Sequence, residues 1–350
     1  QSFGADNNAY TTADYTAYHT VAPKAALAQI VDMEADRFQH LDYSEPDFKT
    51  EAGAVLGEYN KAVSSPWMKM WETLSETAFT SHTYGHTTLG YLADIKALPE
   101  GFEYAKTFFE RHYVPSNTTV LVVGDVKRDE VLALVKEHYG AWSLPHDAPQ
   151  VPAEPAQTEA RSKHLDWPSA TPAMAMLAWQ VPAYTSAGPD SAARDVAGEL
   201  LFGKTSALNK QLVLEEQKVL AMEPATGWHR RDAHVFLLEL KHKDAAEAKS
   251  LVDQVQKAIG SAASGAVDAE ALEAVKSNLR YSRLMGLDSV GSVAGYLAGV
   301  IGLSGDVADA ERYFERLAAV SVADVQRIAG EQLTEARRTV ITLAQKKEVE

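Results

Sequence analysis

Cysteine is absent from the 350 residues of this chain. The absence excludes disulfide bonds and thiolate metal sites, so only His, Asp and Glu remain as side chains that could hold a transition-metal ion. Long hydrophobic runs are also missing, and an apolar stretch such as Val120-Leu-Val-Val123 is far too short to cross a bilayer. We therefore predict no membrane span.

Positive charge is scarce. The chain has 33 Lys and Arg against 48 Asp and Glu, which gives a net charge of −15 and a pI near 5.2. Such a surface repels polyanions, so we expect no nucleic-acid partner. Hydrophobic residues at 46% and charged residues at 23% are typical of a globular protein, and the length allows two domains with cores of their own.

The hydrophobic pattern begins twice along the chain. Four prolines between Leu144 and Pro155 indicate a stiff, solvated connector, after which strand and helix patterns restart. We predict an α+β fold of two similar units, a duplicated α/β sandwich of mainly antiparallel sheet packed with helices. The predicted boundaries are 1–143 for a first unit without its opening strands, 144–158 for the linker, and 159–350 for the second unit.

Alternating residues near the start predict a hairpin of two short strands, 8–11 and 15–21. Continuous β-branched residues predict a buried strand over 118–124. His82 and His86 lie four residues apart, but the Thr and Gly residues around them favour a loop over a metal-binding helix.

The stretch 45–63 predicts one amphipathic helix opened by Ser44, with Pro46 in its first turn. Glu51 and Glu58 lie two turns apart at the margin of its apolar face, so we expect both carboxylates to point toward the protein. About 10 Å separates their backbones, too far for both to hold one small ion easily. The alternative is that both are solvated charges on an ordinary surface helix.

Five passages together resemble the pitrilysin/insulinase family of zinc peptidases, which includes the mitochondrial processing peptidase. They are Phe3 to Tyr18 with its "NA-x-T" and "D-x-T-x-Y" pattern, Glu34 to Arg37, the helix with Glu51 and Glu58, His82 to Gly85, and the "Y-x-P-x-N…V-x-G-D" pattern from Tyr113 to Asp125. The resemblance covers nearly the whole chain.

The resemblance implies a zinc metalloendopeptidase acting on peptides or unfolded polypeptides. Glu58 matches the family's third zinc ligand, and Glu51 matches the accessory catalytic-site glutamate one heptad earlier. Asn8, Ala9 and Tyr10 match an edge strand to which substrate backbone adds. Without the resemblance, this hairpin could equally be structural.

One family feature is absent, because the 350 residues contain no H-x-x-E-H motif. We therefore expect a fragment that lacks the N-terminal segment with the two His ligands, binds Zn²⁺ only as part of the full-length protein, and is inactive alone.

Glu215 and Met222 occupy places where some family halves carry a substrate-binding Arg and Tyr. A second family half or subunit is thus an expected partner. The alternative is a non-catalytic structural or partner subunit of the same family. Absence of cysteine suits periplasm and cytoplasm alike, and we favour the bacterial periplasm.

Overall fold

Helices and strands follow one another along the chain largely as the hydrophobic pattern predicts. The computed structural model describes residues 4–346, so Phe3, with which the first family-like passage begins, lies outside the described residues. The strands are β1 (Asp6–Thr11), β2 (Thr16–Val21), β3 (Arg161–Trp167), β4 (Ala173–Val181), β5 (Val219–Pro224), β6 (His234–His242) and β7 (Arg338–Gln345). The α-helices are α1 (Leu27–Gln39), α2 (Glu45–Val63), α3 (Pro66–Ala78), α4 (Leu92–Ala97), α5 (Phe102–His112), α6 (Arg128–Tyr139), α7 (Asp190–Phe202), α8 (Ala207–Asn209), α9 (Ala248–Ala263), α10 (Ala269–Met285), α11 (Val290–Ser304), α12 (Asp309–Ala319) and α13 (Val322–Arg327).

Local signals explain where several helices begin. Helix α2 begins as predicted after Ser44, whose hydroxyl accepts the Asp47 N–H at 3.3 Å. Helix α3 begins with Pro66 directly after Ser65, and α13 begins with a capping box in which Ser321 and Asp324 bind each other's backbone N–H.

The prediction of a buried strand over 118–124 is wrong. This segment is extended at Thr118, but it pairs with no strand within residues 4–346 and is only partly buried, with Val120 41% exposed. β-Branched residues favour extended backbone locally, whereas a strand also needs a neighbour to accept its hydrogen bonds.

The chain divides into two units. The first comprises the described residues up to Ala62, Thr88–Val151 and Leu287–Gly299, and the second comprises Val63–Thr87, Pro152–Gly286 and the described residues from Val300 onward. Residues 63–87, which the sequence pattern assigns to the first unit, thus belong to the second.

The second unit is built on a five-stranded sheet of order β3-β7-β4-β6-β5. Strands β3 and β7 are parallel, and the other neighbours are antiparallel. Alternate residues of β4 face opposite sides, so Leu177 and Trp179 pack in a core with α7 and α9, whereas Met176 packs with Met70 and Leu74 of α3 on the other face. Helix α3 therefore covers one face of this sheet, and the α+β class is confirmed.

The proline-rich connector is solvated only in its first part. Glu154 accepts hydrogen bonds from the backbone N–H groups of Thr80, Ser81 and His82 at 2.8–2.9 Å. Gln157 is buried, and its side chain donates to the Arg338 carbonyl at 2.9 Å. Both contacts lie within the second unit, which explains why the chain returns to that unit at Pro152.

No single helix within the described residues is long and apolar enough to cross a membrane. Helices α11 and α12 together have the length and apolar composition of a span, but the chain bends by 83° between them.

Candidate functional site

The hairpin of the first unit has a free backbone edge. The Thr12 N–H donates to the Tyr15 carbonyl at 2.8 Å and closes the turn. Hydrogen-bonded and non-hydrogen-bonded pairs alternate in an antiparallel ladder, so the Ala9–Tyr18 pair, three residues from this closing pair, is non-hydrogen-bonded. The N–H and C=O of Ala9 therefore point away from β2. No third strand pairs with β1 in the part of the chain that the structure describes.

Asn8, Ala9 and Tyr10 all lie on this edge strand, and all three are exposed. The outward N–H of Ala9 is bound by the side chain of its own neighbour, since Asn8 Oδ1 accepts it at 2.8 Å. An incoming backbone carbonyl would need only to displace this local contact. Tyr10, 36% exposed, lies beside the strand with its ring centroid 6.1 Å from that of His19.

Aromatic packing supports the opposite face of the hairpin. Tyr18 packs edge-to-face on Phe38 of α1 at 5.3 Å, and its hydroxyl is hydrogen-bonded to that of Tyr113. The Arg37 guanidinium lies 4.5 Å from the centre of the Tyr18 ring. Burial and then the Tyr18 hydroxyl raise the pKa of Tyr113, so its hydroxyl remains neutral. These contacts fix β2 to α1 and leave β1 as the outer strand.

Glu51 and Glu58 lie on α2 as predicted, but the prediction that their carboxylates point toward the protein is wrong. Ala52 and Tyr59 are the buried residues of this helix, and each glutamate precedes one of them by a single residue. One residue turns the helix by about 100°, so both glutamates are exposed to solvent rather than directed toward the protein. Neither carboxylate has a hydrogen bond or ion pair with residues 4–346.

These carboxylates do not form a metal site with other described residues. No group of three or more His, Asp or Glu side chains within residues 4–346 is arranged to hold a metal ion. A stable zinc site takes three or four protein ligands. The described residues therefore supply too few grouped ligands for a zinc ion, and Glu58 of α2 contributes one exposed carboxylate.

The two histidines of the 82–86 segment are not metal ligands together. The segment forms a short 3₁₀ turn over Thr83–Gly85, which agrees with the predicted loop. His82 is buried in the second unit, where its Nδ1 accepts the Tyr84 N–H at 3.0 Å. His86 Nδ1 lies 2.8 Å from the Thr87 carbonyl. Both histidines thus stabilise the turn.

Glu215 and Met222 do not provide a substrate-binding pair. Met222 on β5 is 3% exposed and packs in the core of the second unit, whereas Glu215 is exposed at the end of a π-helical turn. The passage thus forms a helical turn followed by a strand of the core.

A buried polar network in the second unit was not predicted. Asp195 on α7 accepts the Gly227 N–H at 2.6 Å and the Tyr313 hydroxyl at 2.5 Å, and it lies 3.1 Å from His229 Nε2. These partners are 32, 118 and 34 residues away in the sequence, so no local pattern could have indicated them. The network orders the β5–β6 loop against α7.

Comparison with known proteins gives consistent matches along the chain. A family model described as "Insulinase (Peptidase family M16)" matches residues 1–91, and one described as "Peptidase M16 inactive domain" matches residues 102–279. The zinc protease PqqE of Helicobacter pylori is 27% identical over 353 residues, which covers 97% of this chain and 77% of that protein. A crystal structure of a protease from Helicobacter pylori superposes with a TM-score of 0.88 at 26% identity, covering 98% of this chain and 83% of that one.

The human mitochondrial-processing peptidase subunit beta is also similar. It is 28% identical over 205 residues, and the match covers 57% of this chain but only 40% of that protein. Together, the family models match most of the sequence, and the opening hairpin and the Glu51–Glu58 helix lie within the first of them. The chain belongs to peptidase family M16, as its motifs predict.

Proposed function

We propose that this chain is part of a zinc-dependent endopeptidase that binds peptides or unfolded polypeptides as an added strand along β1. The observation that carries this proposal is the outward N–H and C=O of Ala9, which have no strand partner among the described residues. Main-chain hydrogen bonds supply affinity without demanding a particular sequence. An open strand edge therefore suits an extended polypeptide substrate.

In this proposal Glu58 supplies one zinc ligand, and two imidazoles come from outside the 350 residues. Its carboxylate is exposed and has no partner within residues 4–346, so it is available to a metal. Glu51, two turns away on the same helix, would support that ligand set. Since the described residues do not complete a zinc site, we expect the chain alone to lack peptidase activity.

A second candidate is a non-catalytic structural or partner subunit of the same family. The match of residues 102–279 to an inactive domain and the core position of Met222 favour it. A relative whose name identifies it as a subunit is consistent with a second family half as partner. The available carboxylate of Glu58 favours the peptidase instead. A periplasmic location is part of our proposal for either function.

Strand addition can be tested by peptide binding to the purified chain. Ala9→Pro removes the outward N–H but no bond of the β1–β2 ladder, so the hairpin should persist. We expect it to weaken binding of an extended, unstructured peptide by about tenfold, measured by fluorescence anisotropy. Ala9→Ser, which keeps the outward N–H at the same position, is the matched control and should leave binding unchanged. Equal binding by wild type and Ala9→Pro would exclude β1 as the substrate edge.

The role of Glu58 needs a form of the protein that carries an H-x-x-E-H segment. There, Glu58→Gln should reduce zinc occupancy and peptidase activity together, because a neutral amide is a poor zinc ligand. Glu130→Gln, an exposed carboxylate on α6, is the control and should change neither. Normal zinc content with full activity in Glu58→Gln would remove Glu58 from the site. Absence of metal-dependent activity in the unsubstituted protein would favour the non-catalytic subunit.

A further inference from the structure

Tyr15 lies at the end of the turn between β1 and β2, and its backbone is fixed there. Its carbonyl accepts the Thr12 N–H at 2.8 Å and the Thr12 hydroxyl at 3.1 Å. Its own N–H donates to the Thr12 hydroxyl oxygen at 3.1 Å. Three bonds to one residue close the turn, so the hairpin fixes the backbone from which the Tyr15 side chain extends.

The Tyr15 ring contacts the proposed substrate strand. It packs edge-to-face against Tyr10, with ring centroids 6.0 Å apart and planes at 76°. Side chains alternate along a strand, so Tyr10 shares this face of the hairpin with His19 and Val21. The Tyr10 ring thus packs against Tyr15 on one side. Because Tyr10 directly follows Ala9, this contact lies next to the residue whose N–H and C=O point outward.

Helix α11 lies along the same face. A side-chain carbon at Gly299 would be 3.4 Å from the Tyr15 hydroxyl oxygen, and one at Gly291 would be 3.7 Å from a Val21 methyl group. These glycines are two helical turns apart, about 12 Å along the axis, and so follow the length of β2. The space between the Tyr15 hydroxyl and the backbone of α11 at Gly299 is thus large enough for a methyl group but for little more.

We infer that Tyr15 is a positioning residue for substrate binding, held between Gly299 of α11 and Tyr10 of β1. It fixes the Tyr10 ring and, through it, the course of β1 at Ala9, without touching substrate itself. The inference rests on the proposed strand addition at β1. Helix α11 lies outside both family-model matches, so this support comes from a part of the chain that those matches do not cover.

The test measures peptide affinity of the purified chain. Tyr15→Ala should weaken binding about three- to tenfold, which is the effect expected from losing one aromatic pair. Tyr15→Phe keeps the ring and should restore affinity to within about twofold. Tyr104→Ala, which removes a 65% exposed tyrosine of α5, is the control and should have no effect.

Helix α11 supplies an independent variant. Gly299→Leu should displace the Tyr15 ring and weaken binding as Tyr15→Ala does, whereas Gly299→Ala places only a methyl group at 3.4 Å and should be tolerated. In a double variant with Tyr15→Ala, the Gly299→Leu change should reduce peptide affinity little further, because both substitutions act on the same contact. If Tyr15→Ala does not fold, the two Gly299 variants decide the question.

The outcomes separate this inference from the proposed function. Amide hydrogen exchange at Ala9 and Tyr10, measured without peptide, should be faster in Tyr15→Ala than in Tyr15→Phe if the ring holds β1 in place. Wild-type affinity and exchange in Tyr15→Ala and in Gly299→Leu would overturn the positioning role and leave strand addition intact. Failure of the wild-type chain to bind any extended peptide would overturn strand addition, and the positioning role with it.

Discussion

Asp195 is a carboxylate with 2% of its surface exposed, and it is held by two residues of the β5–β6 loop and by one residue of α12. Burial alone would raise its pKa. The His229 ring and the hydrogen bonds from Tyr313 and Gly227 outweigh burial and lower the pKa of Asp195 from 3.8 to about 2. A lowered folded-state pKa means that the ionised group stabilises the fold above the unfolded pKa, and that this stabilisation is lost as the pH falls toward 2.

Asp195→Asn should therefore lower the free energy of unfolding at neutral pH by about 3 kcal/mol, because an amide cannot accept all three donors. The difference between wild type and variant should shrink as the pH falls from 3.8 toward about 2. Denaturant unfolding across this range measures both effects. Asp253→Asn, an exposed carboxylate of α9 with one ion pair, should change stability by less than about 0.5 kcal/mol. A constant difference at every pH would contradict the assigned pKa.

At the scale of elements, α3 decides which residues form the second unit. It comes from the first third of the chain, yet Met70 and Leu74 pack with residues of β4, β6 and β7. Its amphipathic pattern is that of a helix. The pattern contains nothing about which sheet the apolar face covers, since a helix can bury the same face against any apolar surface.

Met70→Ala tests this packing. Met70 is 0% exposed, so its truncation leaves a cavity between α3 and the sheet and should lower the free energy of unfolding by about 2 to 5 kcal/mol. The same change at Met285, which is 77% exposed at the end of α10, should have an effect below about 0.5 kcal/mol. Equal stability of the two variants in urea would show that α3 does not cover the sheet in solution.

At the scale of the whole molecule, metal content follows from the ligands that these 350 residues supply. The described residues include no three-ligand group, and Glu58 is one exposed carboxylate. A single carboxylate on a helix surface gives weak, exchangeable binding. The purified chain should thus behave as a folded protein that requires no zinc for stability.

Elemental analysis after dialysis against zinc and then buffer checks this expectation. We expect less than about 0.1 zinc per chain, and no shift of the thermal unfolding temperature with added zinc or chelator. Glu58→Gln should give the same low value. Stoichiometric zinc that disappears in Glu58→Gln would show that the chain completes the site on its own.

The sequence by itself determined the local structure: the opening hairpin, α2 with Glu51 and Glu58 two turns apart, and the loop that contains His82 and His86. Such features depend on neighbours a few residues away, which periodicity and caps record. Only the tertiary structure decided that residues 118–124 lack a strand partner within the described chain, that Glu51 and Glu58 are exposed, and that Asp195 meets His229. Pairing and burial depend on residues far apart in the sequence, and no local pattern contains that information.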